Sequence, residues 1–161
     1  MKTDTERDFL NVVDTYSHII YKICYVYAVD EDNLKDLYQE TVINLWKGYA
    51  SFRGTAKISS WIYRVGINTC ISYYRQDRKY RNKVDLAKAG EVYEDHSERT
   101  EQLKEMYRLI NKLDKMEKAM ILLWLDEKSY DEIAEITGMG RNTVASKLKR
   151  AKEKLIEMNN D

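Results

Sequence analysis

Apolar residues recur every three to four positions along nearly the whole chain, the period of one helix face, and no stretch keeps the alternation of a half-buried strand. The pattern predicts an all-α protein. Proline is absent from the 161 residues, so helix breaks must come from caps and glycines. The sharpest break lies within Ser129–Leu155. Ser129 and Glu132 have the spacing of a capping box, in which the serine oxygen accepts from the backbone three residues on and the glutamate reaches back to the serine N–H. Ile133 and Ile136 give that helix an apolar side, and Thr137-Gly138-Met139-Gly140 ends it with two glycines able to take the positive φ of a turn. In the helix that follows, Val144, Leu148, Ala151 and Leu155 form one inward stripe, leaving Arg141, Asn142, Ala145, Ser146, Lys149, Arg150 and Lys152 off it. Two helices about a glycine turn, the second with a polar and basic outer face, make a helix-turn-helix and point to DNA.

Upstream, Asp32 to Trp46 reads as a helix with Leu34, Leu37, Thr41 and Leu45 inward and Asp36, Gln39, Glu40 and Asn44 outward. Phe52-Arg53-Gly54 is a turn signal. The next helix, from Ile58 to Asn68, carries Trp61 and Tyr63 beside Arg64, and aromatics next to arginines can stack on unpaired bases. Further on, Asp114 with Glu117 at the third position is a start signal for a helix over Lys115–Leu125.

The formal net charge is zero, yet the charges are segregated. From Ser51 to Lys83 eight cations stand against Asp77 alone, a net of +7 that suits a polyanion. Residues 138–161 hold a net of +3. Between them, Val84 to Glu101 carries a net of −4 with little apolar content, the composition of a solvated connector. The chain therefore divides into two small helical bundles, 1–83 and 101–161, joined by a flexible acidic linker, 84–100, each bundle near the lower limit of independent stability. The start of the chain lacks a secretory pattern and no apolar segment nears the ~20 residues of a membrane span, so a cytoplasmic protein without membrane insertion is expected. Cys24, Cys70, His18 and His96 have no metal-ligand spacing; buried free thiols are expected, with no metal and no cofactor.

In order and spacing these segments resemble an RNA polymerase sigma factor of the sigma-70 family, in its extracytoplasmic-function subfamily. Asp36-Leu37-Tyr38-Gln39-Glu40-Thr41 through Trp46 matches the family's polymerase-clamp-binding helix. Phe52-Arg53-Gly54 through Trp61 and Asn68 matches its −10 and melting segment, and Ser129–Leu155 matches its −35 helix-turn-helix (winged-helix-like) domain. Leu113-Asp114 stands where the family often has Leu-Pro, and Asp114 as a cap serves the same helix start. Asn142 replaces a glycine before the recognition-helix threonine, where backbone N–H groups meet phosphates.

The resemblance implies a promoter-specificity subunit with no catalytic site, whose partners are core RNA polymerase (the β′ clamp helices and the β flap), promoter DNA and an anti-sigma factor. Residues 1–83 would be sigma region 2 and 101–161 sigma region 4. Asp36, Gln39, Glu40 and Asn44 would meet the clamp, and the loop Gly48–Lys57 would take a flipped −10 base. Arg53, Lys57, Trp61, Arg64, Asn68 and Arg75 would contact −10 DNA. Ala145, Ser146, Lys149 and Arg150 would face −35 bases, with Arg141, Thr143, Lys147 and Lys152 on phosphates. A free-standing dimeric helix-turn-helix regulator is the alternative, but it leaves the +7 aromatic segment without a use. A nuclease or recombinase would need clustered carboxylates or an activated nucleophile, and here the carboxylates lie on outward faces.

Overall fold

The computed structural model describes residues 3–52, Gly54, 57–76 and 101–160, with 74–76 as backbone only. The expected linker at 84–100, Arg53 and the side chain of Arg75 lie outside the described residues. Eight helices make up the described chain: α1 (Asp4–Thr15), α2 (Ser17–Tyr27), α3 (Glu31–Tyr49), α4 (Ile58–Gln76), α5 (Glu101–Asn111), α6 (Lys115–Leu125), α7 (Tyr130–Thr137) and α8 (Arg141–Asn160). No strand occurs among the described residues, so the likeness to winged-helix domains extends only to the helix-turn-helix itself.

Side chains start these helices where the backbone would otherwise leave N–H groups unmet. Asp30 accepts from the Asn33 N–H at 2.8 Å to open α3. Both capping boxes form. Asp114 accepts from the Glu117 N–H at 2.8 Å while Glu117 accepts from the Asp114 N–H at 3.1 Å, and Ser129 and Glu132 exchange the same pair at 3.1 and 3.2 Å. Gly138 ends α7 in the left-handed region at φ 77°. Gly140 does not share that conformation, contrary to the expectation of two left-handed glycines; its carbonyl accepts from the Val144 N–H at 3.0 Å and so begins α8.

In the amino-terminal bundle α2 packs against both α3 and α4, with Ile20, Ile23, Leu37, Leu45, Ile62 and Ile67 buried between them. Gly66 sets how closely α2 and α4 approach, because a Cβ there would stand 2.9 Å from Ile23 Cδ1. In the carboxy-terminal bundle Met120, Ile121 and Leu123 of α6 bury against Ile133, Ile136, Val144, Leu148 and Ala151.

The two bundles share one continuous core. Residues 19–20 and 23–29 are all buried, so α2 and the turn after it have almost no solvent side, and a helix apolar all round must be covered all round. The second cover comes from α5 and α6. Tyr25 meets Tyr107 edge-on at 5.6 Å, the Tyr27 hydroxyl donates to the Lys115 carbonyl at 2.5 Å, and Lys118 Nζ sits 5.3 Å over the Tyr27 ring. The Asn111 amide donates to the Val26 and Ala28 carbonyls, both at 3.2 Å. On the other flank α4 lies against α7.

Candidate nucleic-acid interface

The recognition helix is built as the spacing implied. Val144, Leu148 and Ala151 are buried against α6 and α7, with Leu155 half-buried at the end of the stripe. That anchoring turns Arg141, Thr143, Ser146, Lys149 and Arg150 into solvent, with Ala145, Lys147 and Lys152 half-buried beside them. Arg141 Nε lies 3.6 Å from Asp131, an exposed pair of little energetic weight. Lys152 is held differently: its ammonium sits 4.1 Å over the Trp124 ring, a cation–π contact that fixes where the charge stands. Lys154 bonds Glu117 at 2.7 Å, which raises the lysine pKa and turns that cation toward the bundle and away from the outer face.

On α3, Asp36, Gln39 and Glu40 are exposed as expected. Asn44 is not. It is half-buried, and its amide donates to the Thr69 hydroxyl at 2.9 Å, which in turn donates to the Val65 carbonyl at 2.6 Å. Asn44 therefore ties α3 to α4, because α4 packs against this side of the helix. Two apolar residues that the spacing did not single out lie exposed on α3, Ile43 at 46% and Trp46 at 41%, the latter edge-on to Phe9 at 5.1 Å. Helical spacing sets Asp36, Glu40 and Ile43 on one stripe, with Gln39 and Trp46 beside them.

The α4 face departs furthest from expectation. Trp61 is half-buried, stacked on Phe52 at 4.9 Å and beside Tyr49 at 6.3 Å. Its ring ties Phe52, just after α3, to α4, so part of the aromatic face expected for a base is covered by Phe52 and Tyr49. Arg64 and Asn68 are exposed, but Arg64 Nη2 donates to the Glu135 carbonyl of α7 at 2.9 Å. Lys57, also exposed, stands 3.9 Å from Glu132.

Under these contacts a polar cluster joins the bundles. The buried Tyr63 hydroxyl donates to Asp126, which also accepts from Lys22 Nζ at 2.9 Å, and Lys22 and Lys128 lie 6.0 and 5.8 Å over the Tyr63 ring. Burial, with the Asp126 hydrogen bond second, pushes the Tyr63 phenol far above its usual range. Burial alone would raise the Asp126 carboxyl, but the hydrogen bonds from Tyr63 and Lys22 and the charges of Lys22 and Lys128 outweigh it and hold it below the ordinary range.

Among the described residues no three His, Cys, Asp or Glu side chains gather to hold a metal, and no helix is long and apolar enough to cross a membrane. Cys24 and Cys70 are buried free thiols, and burial pushes Cys70 well above its usual range.

A family model of sigma-70 region 2 matches residues 12–80 and one of sigma-70 region 4 matches residues 103–155. The RNA polymerase sigma factor YlaC of Bacillus subtilis is 33% identical over 133 residues, covering 77% of this chain and 76% of that protein. The ECF RNA polymerase sigma-E factor of Haemophilus influenzae is 30% identical over 139 residues, 78% of this chain and 74% of its own length. Among solved structures, the sigma factor RpoE of Bartonella quintana, crystallised with the anti-sigma factor NepR, superposes with a TM-score of 0.72 at 20% identity, covering 96% of this chain and 98% of that one. CnrH in complex with the cytosolic domain of CnrY gives 0.67 at 21% identity, over 96% and 88% of the two chains. At those identities the likeness to the solved structures is one of fold.

Proposed function

This chain belongs to the extracytoplasmic-function subfamily of the sigma-70 family and directs RNA polymerase to promoters, and we propose that it divides the task among three surfaces. Residues 1–83 act as region 2, 84–100 as the connector and 101–161 as region 4. The exposed side of α3, with Asp36, Gln39 and Glu40 followed along the helix by Ile43 and Trp46, docks on the β′ clamp helices, an acidic and polar patch beside an apolar one. Arg64 and Asn68, with Lys57, Arg53 and Arg75, take the −10 strand, and the loop after α3 receives a flipped base once Trp61 releases it. On α8, Ala145, Ser146, Lys149 and Arg150 read −35 bases, while Arg141, Thr143, Lys147 and Lys152 hold phosphates.

The protein works by binding alone, in the cytoplasm, without a catalytic step. The β flap is a second polymerase contact, and an anti-sigma factor is a further partner, as NepR is for the sigma factor RpoE crystallised with it. The observation that carries this division is the exposed polar face of α8 anchored by Val144, Leu148 and Ala151, which leaves base-reading groups in solvent on a rigid frame. Run-off transcription from chromosomal DNA with purified core enzyme tests it. Start sites preceded by a shared pair of elements are expected, and transcripts no different from those of core enzyme alone would overturn it.

A further inference from the structure

Along α8 the polar side chains differ in what the chain already asks of them. Arg141 meets Asp131, Lys152 sits over Trp124 and Lys154 bonds Glu117. Asn142 is exposed, and its carboxamide has no hydrogen-bond partner among the described residues. At about 100° per residue, Asn142, Ser146 and Lys149 fall at steps of four and three on one line, opposite the buried Val144, Leu148 and Ala151. A side chain in that place faces whatever the helix is laid against. The neighbours of Asn142 on this face are short. Ala145 ends in a methyl and Ser146 in a hydroxyl, so this end of the helix can approach the floor of a major groove with nothing longer between Asn142 and the base edges. The glycine that Asn142 replaces has no side chain to offer there.

What a carboxamide can read is set by its oxygen, which accepts, and its nitrogen, which donates. That pair matches the N6 amine and N7 of adenine in the major groove; guanine presents two acceptors there, cytosine a donor, and thymine an acceptor and a methyl. Lys149 is a point charge without that geometry, and Ser146 offers a single hydroxyl. We propose that Asn142 is a specificity-determining residue that reads one adenine of the −35 element through its carboxamide; this rests on the assignment of α8 to −35 DNA. The first turn of α8 holds the group ready: Val144 is fully buried and its N–H donates to the Gly140 carbonyl at 3.0 Å, so little ordering remains to be done on binding. Arg150, whose guanidinium suits guanine in the same bidentate way, lies eight residues further on, ~12 Å at ~1.5 Å per residue. At ~3.4 Å per base pair, the adenine then lies within about four base pairs of the position that Arg150 reads.

Holoenzyme assembled from core enzyme and the full-length chain is given a pool of templates in which the −35 region of a start site found by run-off transcription is randomised, and the transcripts are sequenced. With wild type one position should favour adenine. Asn142→Gly should weaken that preference about tenfold, the worth of one bidentate pair, and leave every other position unchanged. Asn142→Asp keeps the size of the side chain and suits the positive end of the helix dipole, but it has acceptors only. The same position should therefore turn to cytosine, whose N4 amine donates. A change of base identity at one position is a readout that loss of helix stability does not produce, and Asn142→Asp carries the test if glycine loosens the first turn. Arg150→Ala is the control. If it alters the profile while both Asn142 variants keep that of wild type, α8 reads the element without Asn142 and the proposal is overturned. Weakening by both Asn142 variants on all sequences alike would place Asn142 on a phosphate and overturn it too. A profile that none of the three variants changes would remove α8 from base reading, and the proposal would fall with that assignment.

Discussion

The two helices proposed to face DNA, α4 and α8, are built on the same plan and differ in what their outer cations meet. Each buries an apolar stripe and turns cations outward, but Arg64 and Lys57 beside α4 meet groups of the other module, on α7, whereas the α8 cations with partners, Arg141, Lys152 and Lys154, meet Asp131, Trp124 and Glu117 of their own module. The difference comes from what lies behind each helix. The inner side of α8 ends in aliphatic groups, Val144, Leu148 and Ala151, and is closed by its own module. The inner side of α4 includes, beside Ile62 and Ile67, the Tyr63 phenol, and burying that hydroxyl requires an acceptor. Asp126, from the other module, is that acceptor. A basic outer face therefore does not by itself show that a surface is available; a buried polar group on the same helix can recruit a neighbour that covers it.

The comparison breaks most severely if the frame under α8 is removed. Leu148 is fully buried beneath the recognition face, and Leu148→Ala should cost ~2–5 kcal/mol through lost burial and the cavity left behind. Urea denaturation should show the loss, and −35 binding should fall for every promoter alike. Gly66 plays the matching role behind α4: Gly66→Ala drives a methyl toward Ile23 and should cost ~1–3 kcal/mol.

The surface of α3 proposed for polymerase is exposed, like the outer face of α8. Reversing its charge with Glu40→Lys and Asp36→Arg should cost ~2–5 kcal/mol in core binding, with helicity unchanged. A pull-down in which the double variant captures core enzyme as well as wild type would remove α3 from the interface. Asn44→Ala belongs to the other class: its amide holds Thr69, so it should lower stability by ~1 kcal/mol before it touches core binding.

Much of this was legible beforehand, for local reasons. Capping boxes, the Leu34–Leu37–Thr41–Leu45 stripe and the bounds Lys115–Leu125 depend on residues three or four apart, and sequence displays that spacing directly. Trp61 and Asn44 were misplaced because a side chain's direction on a half-buried helix depends on the neighbouring helix, as Phe52 and Thr69 show. The seam between modules depends on a pairing of residues 63 positions apart, Tyr63 with Asp126, which no periodicity carries. A signal was nonetheless present. The run Ile19-Ile20-Tyr21-Lys22-Ile23-Cys24-Tyr25-Val26-Tyr27 has one charge and no polar face, so one bundle could not cover it.

Within α8 the distinction between reading and holding gives a smaller effect. Arg150 is exposed on the outer face and Lys147 is half-buried at its edge. Arg150→Ala should cost ~1–3 kcal/mol and relax preference at one −35 position, while Lys147→Ala should weaken all promoters similarly and reduce the salt slope by about one. A −35 library giving one sequence profile for wild type and Arg150→Ala would reassign the reading.

The smallest effect is expected in acid, and it isolates the contact that distinguishes α4 from α8. The carboxyl of Asp126 is held below its usual range, so its contribution to the packed form is complete above the ordinary aspartate pKa, about 3.9, and is lost as pH falls through the lowered folded value. Tyr63, pushed upward, keeps its proton throughout that window and remains the donor, so within that hydrogen-bonded pair it is Asp126 that titrates there. Because Asp126 is partly exposed, solvent screening keeps the effect modest. Asp126→Asn should therefore be less stable than wild type at neutral pH, and the two urea midpoints should converge as pH falls below about 4, where wild type loses the same charge. A constant gap between the two proteins down through that range would mean that the carboxylate charge does not hold α4 against the carboxy-terminal module, and that packing alone sets α4 apart from α8.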